Sequence, residues 1–243
     1  MADTIVLCYH AVSERWPAAL SVRPDAFDTQ LEILRDRGYR GVTFYDAVTT
    51  TSTEKRVAIT FDDGFRSVLE LAFPSLQLCG WPATLFVPTE HVGRPGPMAW
   101  DGIDRWVGTE HERELHSVRW DEIKELAEAG WEIGSHTLTH PRLTTVGDDA
   151  QLAAELRGSR ERLEAELGRD CRTLAYPYGD VDDRVARATK EAGYAAAAAL
   201  PKGVHDPEHF LWPRVGIWNA DGGVRFRIKI SSAIRRLRQA TGR

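Results

Sequence analysis

Cysteine is scarce in this chain: Cys8, Cys79 and Cys171 are the only three in 243 residues. An odd number, widely spaced and without a C-x-x-C pair, excludes a disulfide framework and a thiolate zinc site of the usual spacing, so the three are read as reduced core residues. Long apolar runs are also missing. No stretch approaches the roughly 18 residues of a membrane span. The N-terminal run from Ile5 to Tyr9 is too short for a signal peptide and has no basic residue before it. A cytoplasmic protein is the expectation, although a chain trimmed of its leader would read the same way. No G-x-G-x-x-G follows the first apolar run, which removes the usual dinucleotide cradle. There is no low-complexity tract or long Pro/Gly/Ser linker to divide the chain. A net charge of −5, with basic residues dispersed except near the C-terminus, argues against a nucleic-acid partner.

What is present is ordinary globular composition, 42% hydrophobic and 28% charged, in a chain long enough for one large domain spanning residues 1–243, its core over about 4–218. One local pattern occurs four times. An amphipathic stretch ends in glycine plus an aromatic residue, at Gly38-Tyr39, Gly80-Trp81, Gly130-Trp131 and Gly193-Tyr194, and a short apolar run follows. Glycine just past a helix adopts the left-handed conformation without steric cost, so each pair reads as a helix stop leading into a strand. Apolar residues at helical spacing, such as Phe27, Leu31 and Leu34 or Leu152, Leu156, Leu163 and Leu167, supply the core-facing stripes. Strands are expected at Ile5–Tyr9, Gly41–Phe44, Val57–Phe61, Ala83–Val87, Trp131–Ser135, Thr173–Tyr176, Tyr194–Ala199 and Leu211–Ile217. Alternating strands and helices imply an α/β fold, a single-domain distorted (β/α) barrel of about seven parallel strands, with chemistry gathered at the C-terminal strand ends. The stretch from His91 to Val118 breaks the pattern and is the candidate lid or binding loop. Residues 222–243 read as a basic C-terminal helix.

Two short motifs carry chemistry. The strand Val57–Phe61 runs directly into Asp62-Asp63-Gly64. Two adjacent carboxylates at a buried strand end resist joint ionisation unless a cation intervenes, although Asp-Asp-Gly alone is also good turn chemistry. The strand Trp131–Ser135 continues as His136-Thr137-Leu138-Thr139-His140-Pro141, and histidines at i and i+4 share one face of a helical turn. Asp63 with His136 and His140 makes a donor set suited to a divalent ion, zinc first, with cobalt, iron or nickel as alternatives, and it leaves positions open for water and substrate.

These segments resemble the polysaccharide deacetylases, the NodB homology domain of carbohydrate esterase family four. Thr60-Phe61-Asp62-Asp63-Gly64 resembles that family's T-F-D-D-G motif, and Ser135-His136-Thr137-Leu138-Thr139-His140 its S/T-H-x-x-x-H motif. The resemblance implies Asp62 as general base and Asp63, His136 and His140 as metal ligands. Leu174-Ala175-Tyr176-Pro177-Tyr178-Gly179 resembles the third motif, R-x-P-Y/F-G, and implies an oxyanion role for the Tyr178 amide. Ala175 stands where the family has an arginine that orients the base, and Arg214, in Trp212-Pro213-Arg214-Val215, is the candidate replacement. No leucine–histidine pair late in the chain matches the fifth motif, and His205 and His209 lie in a polar loop. Tyr9-His10-Ala11-Val12 instead resembles the YHxV opening of the exopolysaccharide-type branch, which implies His10 as general acid.

The function implied is metal-dependent removal of acetyl groups, N-acetyl from an amino sugar in a saccharide or glycoconjugate. The alternatives are O-acetyl sugars, a small N-acyl metabolite, or an inactive carbohydrate-binding protein. Trp81, Trp100, Trp106, Trp120 and Trp212 are sugar-stacking or core residues. The basic C-terminal segment from Arg225 is read as a solvated outer helix or as a weak contact with an anionic membrane surface.

Overall fold

The computed structural model describes residues 3–200 and 208–232. In chain order the elements are β1 (Thr4–Tyr9), β2 (Ala11–Val12), β3 (Ser21–Val22), α1 (Pro24–Asp36), β4 (Arg40–Val42), α2 (Phe44–Thr49), β5 (Arg56–Phe61), α3 (Phe73–Cys79), β6 (Thr84–Val87), α4 (Trp120–Glu128), β7 (Glu132–Ser135), α5 (Asp149–Leu167), β8 (Thr173–Ala175), α6 (Asp183–Glu191), β9 (Ala196–Ala199), β10 (Trp212–Pro213), β11 (Val215–Gly216) and α7 (Gly223–Lys229).

The helix stops form as the sequence implies. The four glycines of the Gly-aromatic pairs all have positive φ, between 65° and 91°. After α1, α3 and α4 the aromatic amide bonds back to a carbonyl of the last helical turn, as in Trp131 N to Leu126 O at 3.0 Å, which satisfies a helix end where the chain enters the strand.

The main sheet runs β10-β9-β8-β7-β6-β5-β1-β11, and its pairings are parallel. Its two ends are halves of one run. β10 pairs with β9 and β11 with β1, so Trp212 to Gly216, interrupted at Arg214, brings the sheet round into a nearly closed barrel. β4 adds a short eighth stave along Arg56 to Ala58 of β5, below the point where β6 joins. Two expected strands are corrected. Gly41–Phe44 ends at Val42, because the Thr43 hydroxyl accepts from Asp46 N and caps α2, making Phe44 a helical residue. Leu211–Ile217 is shorter and broken where Arg214 turns into the barrel.

Strand alternation sorts the core into two layers. Leu7, Ile59, Phe61, Leu85, Ile133 and Leu174 face outward against the helices. Val6, Ala58, Phe86, Ala175, Ala196 and Ala198 face inward, with Phe44, Ala47 and Val48 of α2 packed on them. Gly134 is required here, since a Cβ at that position would lie 2.5 Å from the Phe86 ring. The α2 end is sealed by buried polar groups. Arg56 donates to Ala47 O and Thr50 O, and the Glu132 carboxylate accepts from Tyr45 N and the Thr84 and Thr173 hydroxyls. The opposite end of the barrel, where the strands finish, is left to the site.

Candidate active site

At the end of β5 the backbone turns sharply. Asp62 N bonds to Tyr9 O at 3.0 Å, and Asp63 is left-handed at φ 71°. This unusual conformation for a non-glycine residue separates the two carboxylates. The turn is braced from outside by Val118 N to Gly64 O and Arg66 N to His116 O, both 2.9 Å.

Asp62 faces inward. Both its oxygens accept from Arg214, Oδ1 from Nη1 at 2.6 Å and Oδ2 from Nη2 at 2.7 Å, and Nη1 also reaches the Thr60 hydroxyl at 3.1 Å. This is the bidentate fork that fixes a carboxylate plane. The Arg214 side chain is wholly buried and lies over the Phe86 ring, which shares the inner layer with Ala175, Ala196 and Ala198. Cys8 adds a second donor, its thiol donating to Asp62 Oδ2 at 3.5 Å. Burial alone would raise the Asp62 pKa, but the charge and hydrogen bonds of Arg214, with His136 and His10, hold it below the ordinary value. Burial pushes the Cys8 thiol well up, so it stays protonated as a donor.

Asp63 points the other way, toward His136 and His140, whose Nε2 atoms lie 3.3 and 3.1 Å from Oδ1. The three donor atoms lie within 4.8 Å of one another and all three residues are buried. His136 Nδ1 donates to Ala175 O at 2.7 Å, which keeps a proton on Nδ1 and turns Nε2 inward. Burial would raise the Asp63 pKa, yet hydrogen bonds from the two imidazoles hold it well below the carboxylate range. Burial would lower that of His136, but Asp62 and Asp63 hold it above the usual value, whereas for His140 burial prevails and the value falls.

The segment between the histidines is not the expected helical turn. Thr137 and His140 have φ of 68° and 65°, and the histidines converge through a loop. The loop is built by Glu155 of α5, whose carboxylate accepts from Leu138 N and Thr139 N, each at 3.0 Å, and from the Thr139 hydroxyl at 2.6 Å. Glu155 escaped the sequence reading, although a carboxylate between Leu152 and Leu156 on a buried stripe was its signal.

The remaining candidates gather around the same groups. His10 lies within 4.8 Å of the Asp62 carboxylate and stacks on Trp218, ring centroids 5.5 Å apart. Its Nδ1 is buried with no hydrogen-bond partner among the described residues. Trp218 was also missed. It is held by Asp221, whose carboxylate accepts from Trp218 N and pairs with Arg225 and Lys229, while the Asp221 carbonyl accepts from Gln30. Tyr178 adopts φ 60°, ψ 4°, its ring edge-on to His140 at 4.9 Å. A left-handed tyrosine is a strained conformation worth a functional explanation. From the irregular stretch His91 to Val118, Trp100 stacks on His140 at 4.2 Å. Of the five tryptophans singled out, only Trp100 reaches the site. Trp106 packs on Trp16, Trp81 and Trp120 against the outer core, and Trp212 against the inner one. His205 and residues 233–243 of the basic segment lie outside the described residues.

Among the described residues two donor groups could hold a cation, Asp63-His136-His140 and Cys8-His10-Asp62. The second is spoiled by the guanidinium already engaging both Asp62 oxygens. The first fits a divalent metal: two neutral imidazole nitrogens and a carboxylate converge, one tautomer is fixed, and the guanidinium lies on the neighbouring aspartate.

With this geometry in view, residues 49–197 match the model of a family described as polysaccharide deacetylase. The YxkH protein of Bacillus subtilis strain 168 is 25% identical over 234 residues, 93% of this chain and 76% of that protein. A poly-beta-1,6-N-acetyl-D-glucosamine N-deacetylase of Staphylococcus aureus strain MRSA252 is 26% identical over 209 residues, 80% of this chain and 67% of the relative. Among solved structures, IcaB from Ammonifex degensii superposes with a TM-score of 0.77 at 26% identity, covering 98% of each chain.

Proposed function

We propose, from the premise that this chain belongs to the polysaccharide deacetylase family, that it is a metal-dependent N-deacetylase acting on polymeric N-acetylated amino sugar. The observation that carries the reading is the pairing of Asp62 with Arg214 beside the Asp63-His136-His140 cluster in one cleft. A base-orienting arginine supplied from the break between β10 and β11 takes the place of the one Ala175 removes from the family pattern, which argues against an inactive binding protein. The choice of N-acetylglucosamine polymer rests on the named substrate of the Staphylococcus aureus relative.

The reaction is hydrolysis of the acetamide: water adds to the acetyl carbon, the C–N bond breaks, and acetate and a free amine leave. Asp63, His136 and His140 would hold the metal, and zinc there would polarise the acetyl carbonyl and bring the pKa of water to about 7. Asp62 takes the proton of the attacking water. Its plane is fixed by Arg214 and its low pKa keeps it ionised, ready to accept. The Tyr178 amide, in its left-handed turn, donates to the developing oxyanion. His10, its ring braced by Trp218, delivers a proton to the departing nitrogen. Each proton-transfer group should contribute about 10²- to 10⁴-fold to the rate. Trp100 and the half-exposed Trp218 flank the cleft as the surfaces on which sugar rings stack.

Acetate release from β-1,6-linked N-acetylglucosamine oligomers by zinc-reconstituted protein tests this. Turnover should vanish with chelator and fall at least about 10²-fold in Asp62→Asn with zinc still bound. Near-normal turnover by zinc-loaded Asp62→Asn would overturn the assignment.

A further inference from the structure

The two histidines of the cluster are held by different means. His136 is oriented by its hydrogen bond to Ala175 O, the usual second contact of a metal-binding imidazole. His140 Nδ1 is buried and has no hydrogen-bond partner among the described residues. Its ring is instead held by aromatic surfaces: Trp100 lies nearly parallel to it, 4.2 Å away at 24°, and the Tyr178 ring meets it edge-on. Trp100 is in turn met edge-on by His91 at 5.1 Å.

Trp100 belongs to a segment with its own anchorage. Met98, Ile103 and Leu115 pack with Trp16 and Phe65 in a cluster separate from the two barrel layers. Met98 N bonds to Leu115 O, and Ile103 N and Asp104 N both bond to Trp100 O. Upstream, Thr89 N and Glu90 N bond to Thr137 O and Leu138 O in the histidine loop itself. The segment is therefore joined to the metal-ligand loop at its start and touches a ligand ring at its middle.

We infer that Trp100 is the positioning residue for His140, and that through this stack the order of residues 98–106 and the affinity for the metal are coupled. The inference rests on the metal reading above. An imidazole whose Nδ1 makes no hydrogen bond is restrained on that side by packing, and the indole ring stacks nearly parallel on it. Any ion that requires His140 in its bound orientation consequently favours the segment in its packed state, and the packed segment favours the ion to the same extent.

The test is zinc affinity measured by calorimetry on chelator-treated full-length chain. Trp100→Ala should bind zinc about 10- to 100-fold more weakly, the loss expected on removing an outer contact of a ligand. Trp100→Phe should recover most of it by restoring an aromatic face. Leu78→Ala, an exposed side chain on α3 outside this segment, should bind as the parent does. Hydrogen exchange supplies a second readout that needs no variant: zinc should slow exchange at the Ile103 and Asp104 amides. Equal zinc affinity in parent and folded Trp100→Ala would overturn the coupling, and so would zinc-independent exchange at those amides in the parent. A parent that takes up no zinc refutes the metal reading itself, an outcome distinct from either.

Discussion

Replacing Arg214 with methionine removes the guanidinium on Asp62 and tests how the proposed base is held. The carboxylate is 3% exposed and loses charge-assisted bonds of 2.6 and 2.7 Å, retaining only the weak Cys8 thiol donor on that side. Removing one partner of a buried ion pair typically costs about 3–5 kcal/mol, and at about 2–4 °C per kcal/mol for a chain of this size the melting temperature should fall by roughly 6–20 °C near neutral pH. The pH dependence should invert as well. In the parent the folded Asp62 pKa lies below the unfolded value of about 3.9, so the carboxylate contributes stability above that pH, which is lost as acid protonates it. Without Arg214, burial dominates and the folded pKa rises above 3.9. The carboxylate then costs stability above its unfolded pKa, and the variant recovers ground on acidification. The acid limb of deacetylation should move upward with it. Denaturant melts of chelator-treated protein between about pH 4 and 8 check the stability change, and the double variant Arg214→Met/Asp62→Leu should regain most of the loss because no buried charge is stranded. A single variant within about 1 kcal/mol of the parent, with the parent's pH slope, would refute the reasoning, since surface-like pairs give no more than that.

Metal uptake should release protons in acid. His136 is held above its usual pKa by Asp62 and Asp63, so its imidazolium stabilises the metal-free fold below about pH 6.5 and loses that contribution as pH rises through the folded value. Zinc binding near pH 6 should therefore release close to one proton, countable by calorimetry in buffers of different ionisation enthalpy, and affinity should rise with pH. Glu155→Ala removes three hydrogen bonds from the Leu138-Thr139 backbone and the Thr139 hydroxyl, and should cost about 1–3 kcal/mol in denaturant melts and weaken zinc binding, though residue 155 touches no ligand. Asp221→Ala frees the Trp218 amide and strands Lys229 against Gly216 O, so it should lower kcat through His10 while leaving zinc affinity unchanged.

Legibility in the sequence followed the range of the interactions. The barrel was readable because its signals are local: glycine after a helix, an apolar run, a return. Asp62-Asp63 and the histidine pair were readable because each occupies one strand end. What failed was conformation decided from afar. The i, i+4 spacing of His136 and His140 favoured a helical turn, but the Glu155 carboxylate, on a helix that begins nine residues later, takes the amides that a helix would have used. Cys8 looked like a core thiol and is buried as one, yet alternation along β1 places it on the same face as His10, beside Asp62. Trp218 lies two residues past the last strand, and its orientation depends on Asp221, Gln30 and α7, none of which its own neighbourhood reveals.

Strand periodicity also explains how a departure from the family pattern is absorbed. On β1 the inward positions are Val6 and Cys8, continued by His10; on β5 they are Ala58 and Thr60, continued by Asp62; on β7 they are Glu132 and Gly134, continued by His136. The same parity on the closing run gives Trp212 and then Arg214, and on β8 it gives Ala175. An arginine at residue 175 and one at residue 214 would therefore enter the same barrel interior at the level of Asp62. Arg214 lies over Phe86, which packs in the inner layer with Ala175, Ala196 and Ala198. The small residue at 175 is thus the counterpart of the arginine at 214. Its backbone still serves the site, because Ala175 O fixes the His136 tautomer whatever the side chain. On the proposed reading the side-chain role lies on the other side of β9 while the main-chain contact stays, and Arg214 sits at the break between β10 and β11, where the barrel is drawn closed.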